Sequence, residues 1–134
     1  MQPQFLSVTP NLIVTDIDRS TAFYRDVLGL TVHATVPPDA APFVFVWLQS
    51  GDVNIFLNDR NTVAEIDPHL AAKPVGGAFT IYLRVTGVDA IWERVKDRAK
   101  VAEPINTKFY GMREFAVEDP DGFLITFAEE MNQA

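Results

Sequence analysis

The sequence predicts an α+β fold in which two paired βαβββ modules form a cleft, and three observations support this prediction. The segment Val14–Asp18 (VTDID) returns as Val85–Asp89 (VTGVD), at an offset of 71 residues (from 14 to 85). Each copy is preceded by a strand-like segment and followed by helical spacing and then further strands. The length of 134 residues suits one domain or two small fused modules. The same offset also aligns Thr9 with Thr80, Leu12 with Leu83 and Gly51 with Gly122.

The first module is predicted over residues 5–58. A strand over Phe5–Val14 has the β-branched and aromatic content of a sheet, and a helix follows over Asp18–Leu28. Asp18 is the predicted N-cap of this helix and Gly29 its left-handed C-cap. Three strands complete the module, broken by Pro37-Pro38 and by a turn at 50–52. They are predicted over Thr31–Val36, Phe43–Leu48 and Val53–Asn58.

The second module, residues 78–130, repeats this order. Its first strand is predicted over Ala78–Val85, and Asp89 is the predicted cap of a helix with one apolar face. The apolar residues of that helix are Val88, Ile91, Trp92, Val95 and Ala99. A short strand near Val101 and two longer strands follow, over Arg113–Glu118 and Phe123–Ala128. The Asp-Pro-Asp-Gly sequence at 119–122 predicts the hairpin turn between those two strands.

Residues 59–77 are predicted to be a flexible linker between the modules. The segment is polar and contains Pro68, Pro74 and the pair Gly76-Gly77. The chain is therefore interpreted as one domain, 1–134, built from two modules and a linker.

Composition excludes several classes of function. The chain has no cysteine, so it has no disulfide, thiolate zinc site or cysteine nucleophile. Its net charge of −7 repels nucleic acid, and no basic patch offsets that charge. The longest apolar run, Ala40–Leu48, is interrupted by Pro42 and is too short to span a membrane. Since the first residues lack the pattern of a secretory signal, we expect a cytoplasmic protein.

Two segments of the chain, one in each module, form distinctive motifs: Asp16–Leu30 (DIDRSTAFYRDVLGL) and Tyr110–Gly122 (YGMREFAVEDPDG). They resemble the vicinal oxygen chelate superfamily, which includes glyoxalase I, extradiol dioxygenases and bleomycin-resistance proteins, and the resemblance extends from about Val8 to Glu130. It implies the glyoxalase/bleomycin-resistance fold. It also implies a homodimer, because bleomycin-resistance relatives share their clefts between chains.

Side-chain alternation assigns residues to the two faces of each predicted sheet. In the strand Phe43–Leu48, aliphatic side chains alternate with aromatic ones, and the aliphatic face suits the side covered by helices. The other face is predicted to line the cleft. Trp47 and Tyr82 either contact a ligand there or pack in its floor. The predicted ligand-binding residues, including one before the last hairpin, are Phe43, Phe45, Trp47, Asn54, Phe56, Tyr82, Arg84, Tyr110 and Thr126.

The resemblance implies four cleft positions at which the superfamily's enzymes hold a divalent metal with His, Glu or Gln. Here those positions are Thr9, Thr80, Thr126 and Phe56 or one of its neighbours Asn54 and Ile55. Uncharged hydroxyls and a phenyl ring do not supply the ligands that a hard cation requires, so no metal or other cofactor is predicted. His33 and His69 have no second ligand at helical or strand spacing, and Pro68 disrupts the Glu65–His69 cluster.

Two functions remain open at this point. The first is a metal-independent protein that binds a planar aromatic or cationic drug or natural product, with no catalytic residue. The second is a metal-dependent lyase, isomerase or dioxygenase whose ligands lie at other positions. The lining of the cleft favours the first function and a small molecule as the partner.

Overall fold

The computed structural model describes residues 3–131, which form two four-stranded mixed sheets with helices, as predicted. The first sheet has the order β1-β4-β3-β2 and contains β1 (Asn11–Val14), β2 (Thr31–Val36), β3 (Phe45–Ser50) and β4 (Val53–Asp59). The second has the order β5-β8-β7-β6 and contains β5 (Thr80–Arg84), β6 (Lys100–Thr107), β7 (Met112–Glu118) and β8 (Leu124–Glu130). The pairs β1/β4 and β5/β8 are parallel, and the others are antiparallel. The two halves therefore share one topology.

Each module places one helix after its first strand. In the first module, α1 (Ile17–Ala22) continues into a π-helical segment, Phe23–Val27. In the second module, the helix spans Val88–Val95 and is numbered α4, because the linker contains α2 (Arg60–Ile66) and α3 (Pro68–Ala71). Among the helices of residues 3–131, none has the length and apolar character needed to cross a lipid bilayer.

The linker is therefore not the irregular segment that its composition predicts. The Asp59 side chain accepts the backbone N–H of Thr62 at 3.1 Å and caps α2. Asp67 accepts the N–H of His69 at 3.2 Å and caps α3, in which Pro68 occupies the first turn. Polar residues and a proline that resemble a loop in sequence act here as helix starts.

The first strand is shorter than predicted. It begins at Asn11 rather than Phe5, and residues 3–10 precede it without regular secondary structure. Phe5, Leu6 and Val8 are 104%, 89% and 93% exposed. Strand-like composition does not form a strand where no other strand of the chain pairs with it.

Strand boundaries also differ in two other places. Because β3 begins at Phe45, Phe43 lies outside the alternation, half-buried and packed against the hydrophobic core. In the second module, β6 is an eight-residue strand rather than a short one, with register shifts around Glu103. Bulges hide its alternation in the sequence.

The N-caps of α1 and α4 both differ from the prediction. Asp16, not Asp18, accepts the N–H of Arg19 at 3.1 Å and caps α1. At α4 the cap position is Gly87, at a φ of 75°, and the distant carboxylate of Glu129 accepts the N–H groups of Gly87 and Val88 at 3.1 and 3.0 Å. Asp89 instead pairs with Arg113 at 3.0 Å. A cap supplied by another strand leaves no local signature.

The last hairpin turn of the second module is anchored on α1 of the first. Tyr24 donates its hydroxyl proton to Asp119 at 2.7 Å, and the two residues are 0% and 5% exposed. The other Asp119 oxygen accepts the N–H groups of Asp121 and Phe123, both at 2.9 Å. Asp121 in turn accepts the Thr15 hydroxyl at 2.5 Å. Burial, together with the charge of Asp119, raises the pKa of Tyr24.

A second contact between the modules lies at the other end of the π-helical segment. Gly29 has the predicted left-handed backbone, at a φ of 88°. The guanidinium group of Arg94, on α4, covers it so closely that a Cβ atom at position 29 would lie 2.5 Å from Nη1. Position 29 therefore requires glycine for two reasons: its left-handed backbone conformation and the close contact with Arg94 of the second module.

Replacing Tyr24 with phenylalanine tests the anchor at the last hairpin. Because Tyr24→Phe removes one hydrogen bond to a buried carboxylate, we expect the free energy of unfolding to fall by about 2 kcal/mol. Urea unfolding at neutral pH measures this loss. Tyr110→Phe is the matched control, since Tyr110 is 53% exposed and its acceptor Glu114 keeps the hydroxyl of Tyr82, so the loss is expected to be below about 1 kcal/mol. Equal losses in the two variants would contradict the anchoring role.

Candidate functional site

An aromatic face covers the first sheet on the side away from the buried core. We use this name for Phe45, Trp47 and Phe56 with the adjacent His33. The ring of Phe56 meets Phe45 and Trp47 edge to face, at centroid separations of 5.1 and 5.6 Å. The pairing of β2 with β3 shifts register between Val32 and Ala34, and the ring centroids of His33 and Trp47 are 4.3 Å apart. The face is a continuous set of four rings.

One amide group orients the central ring of this face. The Trp47 indole N–H donates to Asn54 Oδ1 at 2.7 Å, and the Gln49 amide donates to the same oxygen at 2.9 Å. The Asn54 amide nitrogen is itself held by the carbonyl of Asp52 at 3.3 Å. The polar edge of Trp47 is thus satisfied within the sheet, while its ring stays half-buried and available for stacking.

The second sheet carries a carboxylate pocket, defined by Glu114, Tyr82, Tyr110, Glu103 and Lys108. Glu114 is only 5% exposed, and it accepts the hydroxyl of Tyr110 at 3.0 Å and that of Tyr82 on its other oxygen. The Lys108 ammonium lies 2.5 Å from Glu103. The adjoining cavity of about 390 Å³ is also lined by Thr126. One buried acceptor therefore organises this pocket, as Asn54 organises the aromatic face.

The carboxylates of the pocket perturb its other titratable groups. The hydrogen bond to Glu114 raises the pKa of Tyr82 to about 12. Loss of solvation and the hydrogen bond to Glu114 raise the pKa of Tyr110. The Lys108 partner lowers the pKa of Glu103, and Glu103 raises the pKa of Lys108. Both tyrosines are therefore neutral donors to a carboxylate at neutral pH.

The predicted ligand-binding residues form two groups, and Asn54 of one group and Tyr82 of the other line a shared cavity of about 440 Å³. Phe45, Trp47, Asn54 and Phe56 lie on the first sheet, whereas Tyr82, Arg84, Tyr110 and Thr126 belong to the second module. The hydrogen bonds and ring contacts described for each group stay within its own module. The Arg84 guanidinium lies 3.7 Å from Glu130, and Phe43 packs against the core.

Sequence reasoning did not select Glu114, Glu103, Lys108 or His33. The signal for Glu114 was available, because alternation along β7 places it on the same face as Ala116, which pairs with Thr126. His33 had no such signal, because the register shift that places it depends on the pairing of β2 with β3.

The positions implied for a metal do not fit one. The hydroxyls of Thr80 and Thr126 lie 3.2 Å apart and share a hydrogen bond, and Thr80 also donates to the carbonyl of Leu124 at 3.3 Å. Phe56 belongs to the aromatic face. Within residues 3–131, no group of three His, Cys, Asp or Glu side chains is arranged to hold a metal ion. Neutral hydroxyls engaged with each other are poor ligands for a divalent cation.

Tyrosine titration tests the role of Glu114. Because a raised pKa in the folded state stabilises the protonated form, these hydroxyls stabilise the fold fully below pH 10. For Tyr82 this contribution is lost as pH rises through about 12. The ultraviolet absorbance of tyrosinate should therefore rise at higher pH in the folded protein than in urea. Glu114→Gln should move the Tyr82 transition back toward 10, whereas Glu118→Gln, on the same strand, should not. An unchanged transition in Glu114→Gln would refute the assignment.

Similarity to solved structures extends over almost the whole chain. A protein of unknown function from Agrobacterium tumefaciens str. C58 is 27% identical, with 96% of this chain and 97% of that chain covered and a TM-score of 0.76. TioX from Micromonospora sp. ML1 is 20% identical, with 94% and 99% covered and a TM-score of 0.73. Lactoylglutathione lyase from Agrobacterium tumefaciens is 22% identical, with 95% of each chain covered and a TM-score of 0.67. The last two similarities show the fold alone.

A search of curated proteins found no significant match. The model of the Glyoxalase/Bleomycin resistance protein/Dioxygenase superfamily, in contrast, matches residues 5–127. That range contains both sheets up to the middle of β8, including the aromatic face and the carboxylate pocket. The chain therefore belongs to the glyoxalase/bleomycin resistance protein/dioxygenase superfamily.

Proposed function

We propose that this protein binds a planar, positively charged small molecule without a metal and sequesters it rather than transforming it. The observation that carries the proposal is the aromatic face, with Trp47 held in place by Asn54. Two edge-to-face ring contacts and that hydrogen bond fix the rings before any ligand arrives. A pre-ordered surface loses little side-chain entropy on binding.

The aromatic face suits a flat, electron-poor ligand. Each ring that stacks on a planar ligand contributes about 0.5–1.5 kcal/mol beyond the area it buries. A cation over the face of Trp47 gains a further attraction to the ring quadrupole. The rings of Phe45, Trp47 and Phe56 support a binding protein, because none of these three side chains is a nucleophile or an acid–base group.

The carboxylate pocket supports the positive charge of the proposed ligand. Its charged groups are Glu103, Glu114 and Lys108, which leave one negative charge in excess. The hydroxyl protons of Tyr82 and Tyr110 are directed to Glu114, so lone pairs on both oxygens remain to accept N–H groups of a ligand. An ammonium or guanidinium group therefore matches this pocket, and an anion does not.

A homodimer is the assembly that accompanies this proposal. The aromatic face and the carboxylate pocket lie on different sheets of one chain, and in the proposed dimer a second copy places one opposite the other. The apolar arm of Phe5, Leu6 and Val8 is almost fully exposed in one chain. Burying such side chains against a partner contributes about 1.5–3 kcal/mol each. We propose that the arm packs on the second copy.

Fluorescence of Trp47 tests ligand binding. The chain has two tryptophans, and Trp92 packs on Phe115 in the core, so Trp92→Phe leaves Trp47 as the reporter. Proflavine, a tricyclic cation, should quench this emission saturably, whereas anthracene-9-carboxylate, a tricyclic anion, should bind at least about tenfold more weakly. Phe56→Leu in the same background should weaken proflavine binding about fivefold because one stacking ring is lost. Phe79→Leu, outside the aromatic face, is the control.

Two results would contradict the proposal. One is the absence of saturable quenching across proflavine and other planar cations. The other is a stoichiometric amount of zinc, nickel, manganese or iron in protein purified without chelators, which would favour the metal-dependent lyase, isomerase or dioxygenase.

Sedimentation equilibrium tests the dimer. The wild-type protein should sediment as a dimer at micromolar concentration, and the double change Phe5→Ser, Leu6→Ser should raise the dissociation constant at least about tenfold, since two apolar contacts are lost. Ile66→Ser is the matched control, because Ile66 is an exposed apolar residue on α2. A monomeric wild-type protein, or an equal effect of the control, would contradict the arm's role.

A further inference from the structure

A second cavity, of about 180 Å³, lies where the linker meets both modules, and we call it the linker pocket. Ile13 of β1 lines it on one side. Phe79 and Phe123 of the second module line it on another and meet edge to face at a centroid separation of 5.5 Å. Leu70, at the end of the linker helices, adds a further apolar wall. The interior of the pocket is thus mostly apolar and partly aromatic.

The charged residues that line the linker pocket are basic, whereas the whole chain has a net negative charge. Arg60 and Lys73, from the two ends of the linker, both line it, and none of the lining residues is acidic. The whole chain has 18 acidic and 11 basic side chains, so this local excess of positive charge opposes its net charge of −7. Within the part of the chain that the structure describes, neither Arg60 nor Lys73 forms an ion pair. Two uncompensated cations therefore flank one apolar cavity.

The size of the linker pocket limits what enters it. An apolar cavity of about 150 Å³ accepts benzene, so the linker pocket accommodates one six-membered ring with a small substituent. Ring edges of Phe79 and Phe123 favour an aromatic body. The two cations favour a carboxylate, to which a guanidinium group can donate a pair of hydrogen bonds.

We propose that the linker pocket binds a small monocyclic aromatic carboxylate, with its ring against Ile13 and Phe123 and its carboxylate between Arg60 and Lys73. This site is distinct from the aromatic face and the carboxylate pocket, and it takes a ligand of the opposite charge. The proposal therefore does not depend on the function of those two surfaces. Because the pocket is lined by the linker and by both modules, a bound ligand also joins the three parts.

Calorimetric titration with benzoate, and with benzamide as its neutral counterpart of nearly equal shape, tests the proposal. Benzoate should bind saturably, and benzamide at least about tenfold more weakly, because it lacks the charge that the two cations recognise. Arg60→Gln and Lys73→Gln should each weaken benzoate binding about fivefold. Arg98→Gln, at an exposed cation outside the pocket, should leave it unchanged within about twofold.

Methyl NMR of Ile13 and Val75, which both line the pocket, locates the bound benzoate. Their signals should shift on addition of benzoate, while the indole signal of Trp47 should not. The proposal is overturned if benzoate shows no saturable binding, if benzamide binds equally well, if Arg98→Gln weakens binding as much as Arg60→Gln, or if the shifts appear at Trp47 instead.

Discussion

The hydrogen bond from Tyr24 to Asp119 is the contact on which the arrangement of the two modules depends. It joins the helix of the first module to the last hairpin turn of the second, and both partners are buried. A buried carboxylate is costly unless its oxygens are satisfied, and Asp119 meets this requirement with Tyr24 and two N–H groups of its own turn. If the turn moved away from α1, Asp119 would lose the hydrogen bond from Tyr24. The contact therefore aligns the second sheet relative to the first.

Within this arrangement, each open surface is organised by one acceptor that several donors share. Asn54 receives the indole of Trp47 and the amide of Gln49, and Glu114 receives two tyrosine hydroxyls. In both cases the polar atoms of aromatic side chains are satisfied inside the sheet, which leaves their rings and remaining lone pairs toward the open side. The two surfaces therefore share a principle of construction, although the acceptor lies on the last strand of the first module and on the third strand of the second. Their chemistry differs, because one is aromatic and the other is charged.

The linker adds a third environment that the duplicated modules do not contain. Arg60, at the start of α2, and Lys73, two residues after the end of α3, line an apolar cavity that both modules also line. In an acidic chain, cations without an acidic partner are conspicuous, because most of the described basic side chains pair with a neighbouring carboxylate. The surface of this protein therefore separates the carboxylate pocket, whose charged groups are Glu103, Glu114 and Lys108, from the smaller linker pocket, which two basic side chains line.

The sequence by itself determined the duplicated topology and the turn at 119–122. These features are local, since strand alternation and turn conformation depend on residues that are close in sequence. Tertiary structure decided the rest. Glu129 caps α4 from another strand, a register shift places His33 against Trp47, and burial pairs Tyr24 with Asp119 across 95 residues. Such contacts depend on how distant segments pack, and no short stretch of sequence encodes that packing.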